Sequence, residues 1–418
     1  MLINLKYGEK LKRLHLDNKY ILGILKPEIK EKPVENLVQS LIHSFNNPYS
    51  CLPLKQLIKK KSVKKVLIIL DDITRPNPDY PQIIKTIIGE LNKAGIKHLK
   101  FIIASGTHRK MTYMERKTLY GLDKNYEIIQ HNCDDKTQLV SLGKLSTGNE
   151  LVVNKVVIDC DFIITTGNIE PHAFAGYTGG RKAILPGISG RKTITKNHAM
   201  VVRENIGMGI LENNPVHLEM LEAAKKVGVD FIINFIRNEK KEILKIVSGD
   251  LEKAFIEGVK FAQKIYTVTV SKPCDVAIVS CGGYPRDINL YQAQKSLSAV
   301  NDIVKDNGSI VLVAECSEGY GQKIFHKYMI SYSKQNILHV PEENIEVEGH
   351  RAYLTKKIIL KKDIFLLSSL PRKEVEKMEF IWINKIDNLT EYFIRKYKNH
   401  FKVYIIPDGS SIIPRLKL

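Results

Sequence analysis

The chain has 418 residues, 44% of them hydrophobic and 26% charged, which excludes a disordered tail, a collagen or a disulfide-stapled miniprotein and leaves room for two domains. Its formal net charge is +19, but all but 13 of the 64 basic residues are lysine, whereas base-edge and bidentate phosphate recognition favour arginine. The densest basic run, KKKSVKK at 59–65, carries no aromatic residue and leads into an apolar segment, so a solvated helix end or loop is expected and no nucleic-acid partner.

The opening MLINLKYGEK has no uncharged stretch of the kind a secretory leader needs, and six cysteines lie scattered without a CxxC pair. A reducing cytoplasm with free thiols is the expectation. VLIIL at 66–70 reads as a strand buried on both faces, ending at Asp71 and Asp72. DITRPNP follows as a loop, and YPQIIKTIIGELNKAG repeats apolar residues at helical spacing up to a stop at Gly95. LKFIIA at 99–104 is the next strand, ending in SGTHR, with a helix beginning near Thr112. VVIDCDFIITT at 156–166 is interrupted by carboxylates and falls short of the roughly 20 apolar residues of a membrane span, so no membrane association is expected. Its last part, DFIITT, is a third strand and opens into the longest glycine-rich polar stretch of the chain, GNIEPHAFAGYTGGRKAILPGISGRKTITKNHAM. A helix from Pro215 to Gly228, a strand near Phe231 to Ile236 and a helix from Leu251 complete residues 1–270. After a boundary near Ser271 to Pro273, residues 271–418 start a second unit: CDVAIVSCGG as a strand, INLYQAQKSLSAVNDIV as one helix, SIVLVAEC as a strand and FKVYIIPDGS as a strand and turn. The alternation predicts an α/β fold in both halves.

In open α/β sheets ligands gather at the carboxyl ends of strands, where helix N-termini and freed backbone groups converge. DDITRP, SGTHR and the long glycine-rich stretch all sit at such ends. No GxGxxG follows the first strand, GISGRKT at 187–193 lacks the spacing of a phosphate loop, and HExxH, GxSxG and Cys/His clusters are absent from the sequence. What remains is His108, His172, Lys182 and His198, each in a polar, glycine-rich segment. His108, beside Arg109, is either an acid–base group or a surface histidine bonding its own turn. His172, behind Pro171, is either catalytic or a loop anchor. Lys182, after Gly179, Gly180 and Arg181, is either an amine nucleophile or phosphate-binding charge, or one more exposed lysine. His198 is a candidate metal ligand with no second ligand spaced to it, so alone it holds no metal tightly. In the second half, Tyr291, Gln292 and Lys295 fall on one predicted helix, where a phenol, an amide and an ammonium suit a small carboxylate or make an ordinary amphipathic surface.

DDITRP, SGTHR, GNIEPHAFAGYTGGRK, NHAM and LYQAQKS, in this order and at this spacing, resemble the nickel-dependent lactate racemase family, over about residues 66 to 300. The resemblance implies two α/β domains with a cofactor and substrate cleft between them. The N-terminal domain would bind the cofactor and carry the catalytic groups, and the C-terminal domain would add substrate-binding residues. The implied cofactor is a nickel pincer nucleotide, pyridinium-3,5-bisthiocarboxylic acid mononucleotide, with nickel held through sulfur, carbon and sulfur. By the same resemblance Lys182 attaches the cofactor, His198 completes nickel coordination and His108 and His172 are the two catalytic bases. Asp72, Ile73, Thr74 and Arg75 contact the cofactor, and Arg75, Tyr291, Gln292 and Lys295 contact the substrate. Cofactor-biosynthesis proteins are implied partners.

An imidazole of pKa about 6.5 is far too weak to take a carbon-bound proton beside a hydroxyl and a carboxylate, but it can take the hydroxyl proton. If the C2 hydrogen leaves at the same time as hydride onto the pyridinium ring, a planar 2-oxoacid forms and the stereocentre is erased. The expected activity is therefore racemisation of a 2-hydroxyacid, lactate by default, with one histidine for each hand. Phe174, Tyr177 and Ile184 are expected to set side-chain preference. The alternatives are an epimerase or hydro-lyase using a conventional divalent metal, and a basic nucleotide- or nucleic-acid-binding protein whose histidines are structural.

Overall fold

Residues Val66 to Leu70 have no solvent exposure at all, which is why VLIIL shows no polar alternation: both faces of the Lys65–Asp71 strand are covered. In the computed structural model, residues 1–75, 77–122, 126–386, 389–409 and 412–417 are described; Pro76 of DDITRP and Ser410 of the last strand and turn lie outside them. The chain forms two compact units, one from Ile29–His198 and Leu211–Lys264, the other from Met1–Glu28, Ala199–Ile210 and Ile265–Leu418.

The first of these units is built on a six-stranded sheet in the order Ile243–Gly249, Phe231–Arg237, Phe162–Asn168, Lys65–Asp71, His98–Ala104, Glu127–Gln130. All neighbours are parallel except the edge strand Ile243–Gly249. Val66, Ile68 and Leu70 pack with Ile83, Ile84 and Ile87 of the Tyr80–Lys93 helix and with Leu41 and Phe45 of the Leu37–Asn46 helix in one core. The predicted helix near Thr112 is Tyr113–Tyr120, started by a reciprocal cap between Thr112 and Glu115 and ended by left-handed Gly121.

Chain order runs outward from Lys65–Asp71 to one edge, then returns to place Phe162–Asn168 on its other side. The topological switch point therefore lies between these two strands, at whose carboxyl ends the DDITRP and GNIEPH segments begin.

The other unit carries a fully parallel sheet in the order Ile381–Ile383, Asp363–Leu367, Val304–Val313, Cys274–Ser280, Val403–Ile406, Ile21–Ile24. Both units are α/β, as predicted. The single helix expected over 288–304 is instead Leu290–Ala293, Lys295–Val300 and a 3₁₀ turn at Asn301–Ile303. Gln294 sits at the junction and its side-chain amide donates to the Tyr291 carbonyl, taking an acceptor that a continuous helix would use. Among the described residues no helix is long and apolar enough to cross a membrane.

The end of the Lys65–Asp71 strand is held by two buried phenols. Tyr80 accepts from the Asp71 amide at 3.0 Å and meets the Thr166 hydroxyl at 3.1 Å, while the Tyr120 hydroxyl donates to the Asp71 carbonyl at 2.7 Å. Tyr80→Phe strands that amide away from water, so it is expected to lower the unfolding free energy by about 1–3 kcal/mol. An unchanged urea midpoint would contradict this account of the strand end.

Candidate functional site

Asp72 follows the strand directly and is buried, 2% exposed. The backbone turns so that the amide and hydroxyl of Thr74 donate to Asp72 Oδ1 at 3.1 and 2.6 Å, and the Arg75 amide donates to the Asp72 carbonyl at 3.1 Å. His108 arrives from the next strand. Its Nδ1 lies 2.6 Å from Asp72 Oδ2, with 43% of the side chain exposed. Burial alone would raise the Asp72 carboxyl, but the hydrogen bonds from His108 and Thr74 and the charge of Arg75 outweigh it and hold the group below the ordinary carboxylate value. The SGTHR turn is fixed by the His108 amide on the Ser105 carbonyl and by the Gly106 amide on the Gly187 carbonyl, both 2.9 Å. Gly187 has to be glycine, because a Cβ there would meet the Ala183 carbonyl oxygen at 2.1 Å. Arg109 turns away and grips Glu115 with both terminal nitrogens, at 2.9 and 2.6 Å. Ile73 packs against the hydrophobic core beneath the turn.

The glycine-rich stretch folds back over the end of Phe162–Asn168. The Thr178 hydroxyl donates to the Asn168 carbonyl at 2.6 Å, and Asn234 of the neighbouring strand accepts from the Gly180 amide at 3.0 Å while donating to the Gly167 carbonyl at 3.0 Å. Gly179, at φ +87°, leaves no room for a side chain against Ile169. These bonds start a 3₁₀ turn, Gly180–Ala183, that carries Arg181 and Lys182 inward. Arg181 is fully buried. Its guanidinium donates to the carbonyls of Ala175, Gly179 and Thr178 at 2.9, 3.3 and 3.4 Å and to His217 Nδ1 at 2.9 Å, and it stacks 4.1 Å from the Phe255 ring centroid. Burial and the adjacent guanidinium push the His217 imidazole down to about 3, so it stays neutral and accepts.

Lys182 is 6% exposed, which overturns its reading as one more exposed lysine. Its ammonium lies 5.8 Å from the centroid of Phe174, and the same ring meets the imidazoles of His172 at 4.5 Å and His198 at 5.0 Å, both edge-on. One buried aromatic ring thus gathers three of the predicted functional side chains. His198 sits on the Arg191–Ala199 helix, next to Asn197, whose amide donates to the buried carboxylate of Glu219 at 2.8 Å. Glu219 also accepts from Thr147 and Asn149, so it ties that helix to a hairpin and to the Pro215–Val227 helix. Asn214 caps the latter helix with its Oδ1 and donates from Nδ2 to the Phe174 carbonyl at 2.8 Å, linking helix start to ring position.

Tyr291, Gln292 and Lys295 lie in the other unit, just after the Cys274–Ser280 strand. Lys295 donates to Gln292, while Tyr291 packs edge-on against Phe325 at 5.5 Å, and burial pushes its phenol up against the opposing pull of the Arg351 charge. The ammonium and amide are therefore together, with the phenol turned toward a guanidinium that sequence reading missed. Glu219, His217, Asn234 and Arg351 carry no local signal. Asn214 carries one, since Asn-Pro ahead of an apolar helical run is a cap.

Among the described residues no three His, Cys, Asp or Glu side chains group to hold a metal ion. The buried imidazole of His198 and the buried primary amine of Lys182, both against the ring of Phe174, fit a metal that arrives with donors of its own on an organic group. A family model described as the lactate racemase N-terminal domain matches residues 7–209, and one described as the lactate racemase C-terminal domain matches residues 269–414. The chain is 32% identical, over 427 aligned positions and 99% of both sequences, to the lactate racemase of Thermoanaerobacterium thermosaccharolyticum. To that of Lactiplantibacillus plantarum it is 31% identical, over 88% of this chain and 89% of the other. The structure of the T. thermosaccharolyticum lactate racemase apoprotein superposes with a TM-score of 0.90 at 31% identity, over 99% of this chain and 100% of that one. A Thermotoga maritima protein of 19% identity shares the fold, with a TM-score of 0.64 over 87% of this chain and 96% of that one.

Asp71 is the partner that Asp72 leaves at a disadvantage. Burial raises its carboxyl from 3.8 to about 6, against the pull of Arg75 and with a further push from Asp72 and Glu170. The folded chain holds this proton more tightly than the unfolded one, so the group's contribution to stability is most favourable below about pH 4 and declines as pH rises through 6. Asp71→Asn is expected to add roughly 1–3 kcal/mol to the unfolding free energy near neutral pH and almost nothing near pH 4. Urea unfolding at the two pH values checks this, and an equal effect at both would contradict it.

Proposed function

The chain belongs to the lactate racemase family, and from that membership and the site we propose that it is an isomerase interconverting the enantiomers of a 2-hydroxyacid, lactate by default. The observation that carries the reading is the single ring of Phe174, against which Lys182, His172 and His198 converge. A second support is the ionised Asp72 behind His108.

In this reading Lys182 holds a nickel pincer nucleotide covalently, His198 supplies the protein's donor to the nickel, and Asp72, Ile73, Thr74 and Arg75 line the cofactor. When bound, that group supplies nickel and an electron-poor pyridinium ring able to accept the C2 hydrogen with its electron pair. The chain's own part is to move the hydroxyl proton and hold the acid. His108 and His172 exchange the O–H proton with the substrate, one for each hand, and Asp72 steadies the charge that forms on His108. Arg75, Lys295, Gln292 and Tyr291 bind the carboxylate, which keeps a planar 2-oxoacid from leaving before it is reduced again. Phe174, Tyr177 and Ile184, all buried, set the side-chain preference. Cofactor-biosynthesis proteins are the partners this scheme needs, and a cytoplasmic location suits six free thiols.

Protein co-expressed with the cofactor pathway is expected to carry an adduct on Lys182 and nickel near one per chain by mass and metal analysis. In deuterium oxide the product is expected to retain its original C2 hydrogen. Unmodified protein that still racemises, or product filled with solvent deuterium at C2, would overturn the mechanism. Lys182→Ala is expected to fold normally and to lose both adduct and racemisation.

A further inference from the structure

The two imidazoles treated above as a matched pair are wired in opposite senses at Nδ1. His108 Nδ1 faces Asp72 Oδ2 at 2.6 Å. An ionised carboxylate only accepts, so this nitrogen carries a hydrogen, and a neutral His108 ring presents a lone pair at Nε2. His172 Nδ1 instead receives the backbone amide of Ala175 at 3.2 Å. An amide N–H only donates, so here Nδ1 holds the lone pair and the neutral ring carries its hydrogen on Nε2.

The arrangement around His172 is held from several sides. His172 and Gly176 face each other in a two-stranded hairpin with Pro171 opposite Tyr177. The Ala175 carbonyl accepts from Arg181 Nη2 at 2.9 Å and from the Tyr177 amide at 2.8 Å, and the Phe174 carbonyl accepts from Asn214 at 2.8 Å. The amide that faces His172 is therefore pinned on both sides by peptide groups with other partners. The Thr74 hydroxyl, 3.5 Å from His108 Nδ1, is already committed to Asp72 Oδ1 and does not alter the first assignment.

We infer that the site is folded in one of its two proton-transfer forms: His108 is the ready proton acceptor, and His172 is a hydrogen-bond donor. His172 accepts a proton at Nε2 only as its other tautomer, in which the Nε2 hydrogen has passed to water, Nδ1 has gained one and the bond from Ala175 is broken. With one hand of substrate, the O–H bond breaks as an N–H bond forms at His108 Nε2, and His172 Nε2–H holds an oxygen of the same molecule. The other hand has to wait for the ring of His172. This rests on the reading of both histidines as proton-transfer groups. Enantiomers have equal free energies, so kcat/KM must match in the two directions and the asymmetry emerges as kcat and KM shifted together. The expected difference in kcat is roughly three- to tenfold, the equivalent of one neutral hydrogen bond.

The test is nitrogen-15 NMR of histidine-labelled protein without cofactor, near pH 8.5, about two units above the ordinary imidazole pKa. His108→Gln and His172→Gln serve to assign the signals. Expected are a pyridine-like nitrogen at Nε2 of His108 and at Nδ1 of His172. The same tautomer in both rings would overturn the inference. Asp72→Asn is expected to mix the tautomers of His108 and leave His172 unchanged, and a change at His172 would count against the separate wiring. Because these signals need no turnover, failure of the racemase reading would be seen as inactive loaded enzyme with the tautomers as described. Failure of the inference alone would be seen as active enzyme with matched rings and equal kcat in both directions.

Discussion

A guanidinium sealed from water must find acceptors or unfold what surrounds it, and that demand on Arg181 shapes the heart of this protein. Removing such a charge from solvent carries a penalty of several kcal/mol. Here it is offset by three carbonyls of its own loop, a neutral imidazole and an aromatic face. The carbonyls are those of Ala175, Thr178 and Gly179, so satisfying the charge also dictates how the segment from His172 to Lys182 curls. His217 has to remain uncharged for the arrangement to survive, and its surroundings see to that. The loop from His172 to Lys182 is thus organised by a cation that itself has no exposed surface.

Two further buried polar groups extend this order outward. Glu219 gathers donors from Thr147, Asn149 and Asn197, and Asn214 joins a helix start to the backbone of Phe174. Each group is satisfied only when separate segments take up one mutual placement. A purely apolar contact tolerates sliding, whereas a buried polar atom without its partner is penalised by about 1–3 kcal/mol. The gain is a set of side chains fixed before any ligand enters, which is what proton transfer over hydrogen-bond distances requires.

Much of this was legible in the chain. Short β-branched runs ending in Asp-Asp, Ser-Gly-Thr-His and Gly-Asn announced a parallel sheet, and the pairing of the strands about Lys65–Asp71 bears that out. Local patterns could not disclose the rest, because it depends on partners far away in sequence. The strand Ile21–Ile24 is short, holds a glycine and is recognisable only beside Val403–Ile406, some 380 residues later. The burial of Lys182 follows from a loop whose closure is arranged by Asn234 and Arg181, and nothing in Gly-Gly-Arg-Lys distinguishes it from a surface turn. The break at Gln294 arises from a side chain competing for a main-chain acceptor, a contest that apolar periodicity does not register.

Besides these buried side chains, the loops around the site are joined through peptide groups: Gly106 to Gly187, Thr178 to Glu170, Gly190 to Val152. Such joints are indifferent to the identity of the side chains that flank them. Side chains such as those of Phe174, Tyr177 and Ile184 can therefore diverge among descendants of this scaffold while the peptide joints keep their course. On the proposed function, a different hydroxyacid is accommodated by changing these side chains and leaving the masonry alone.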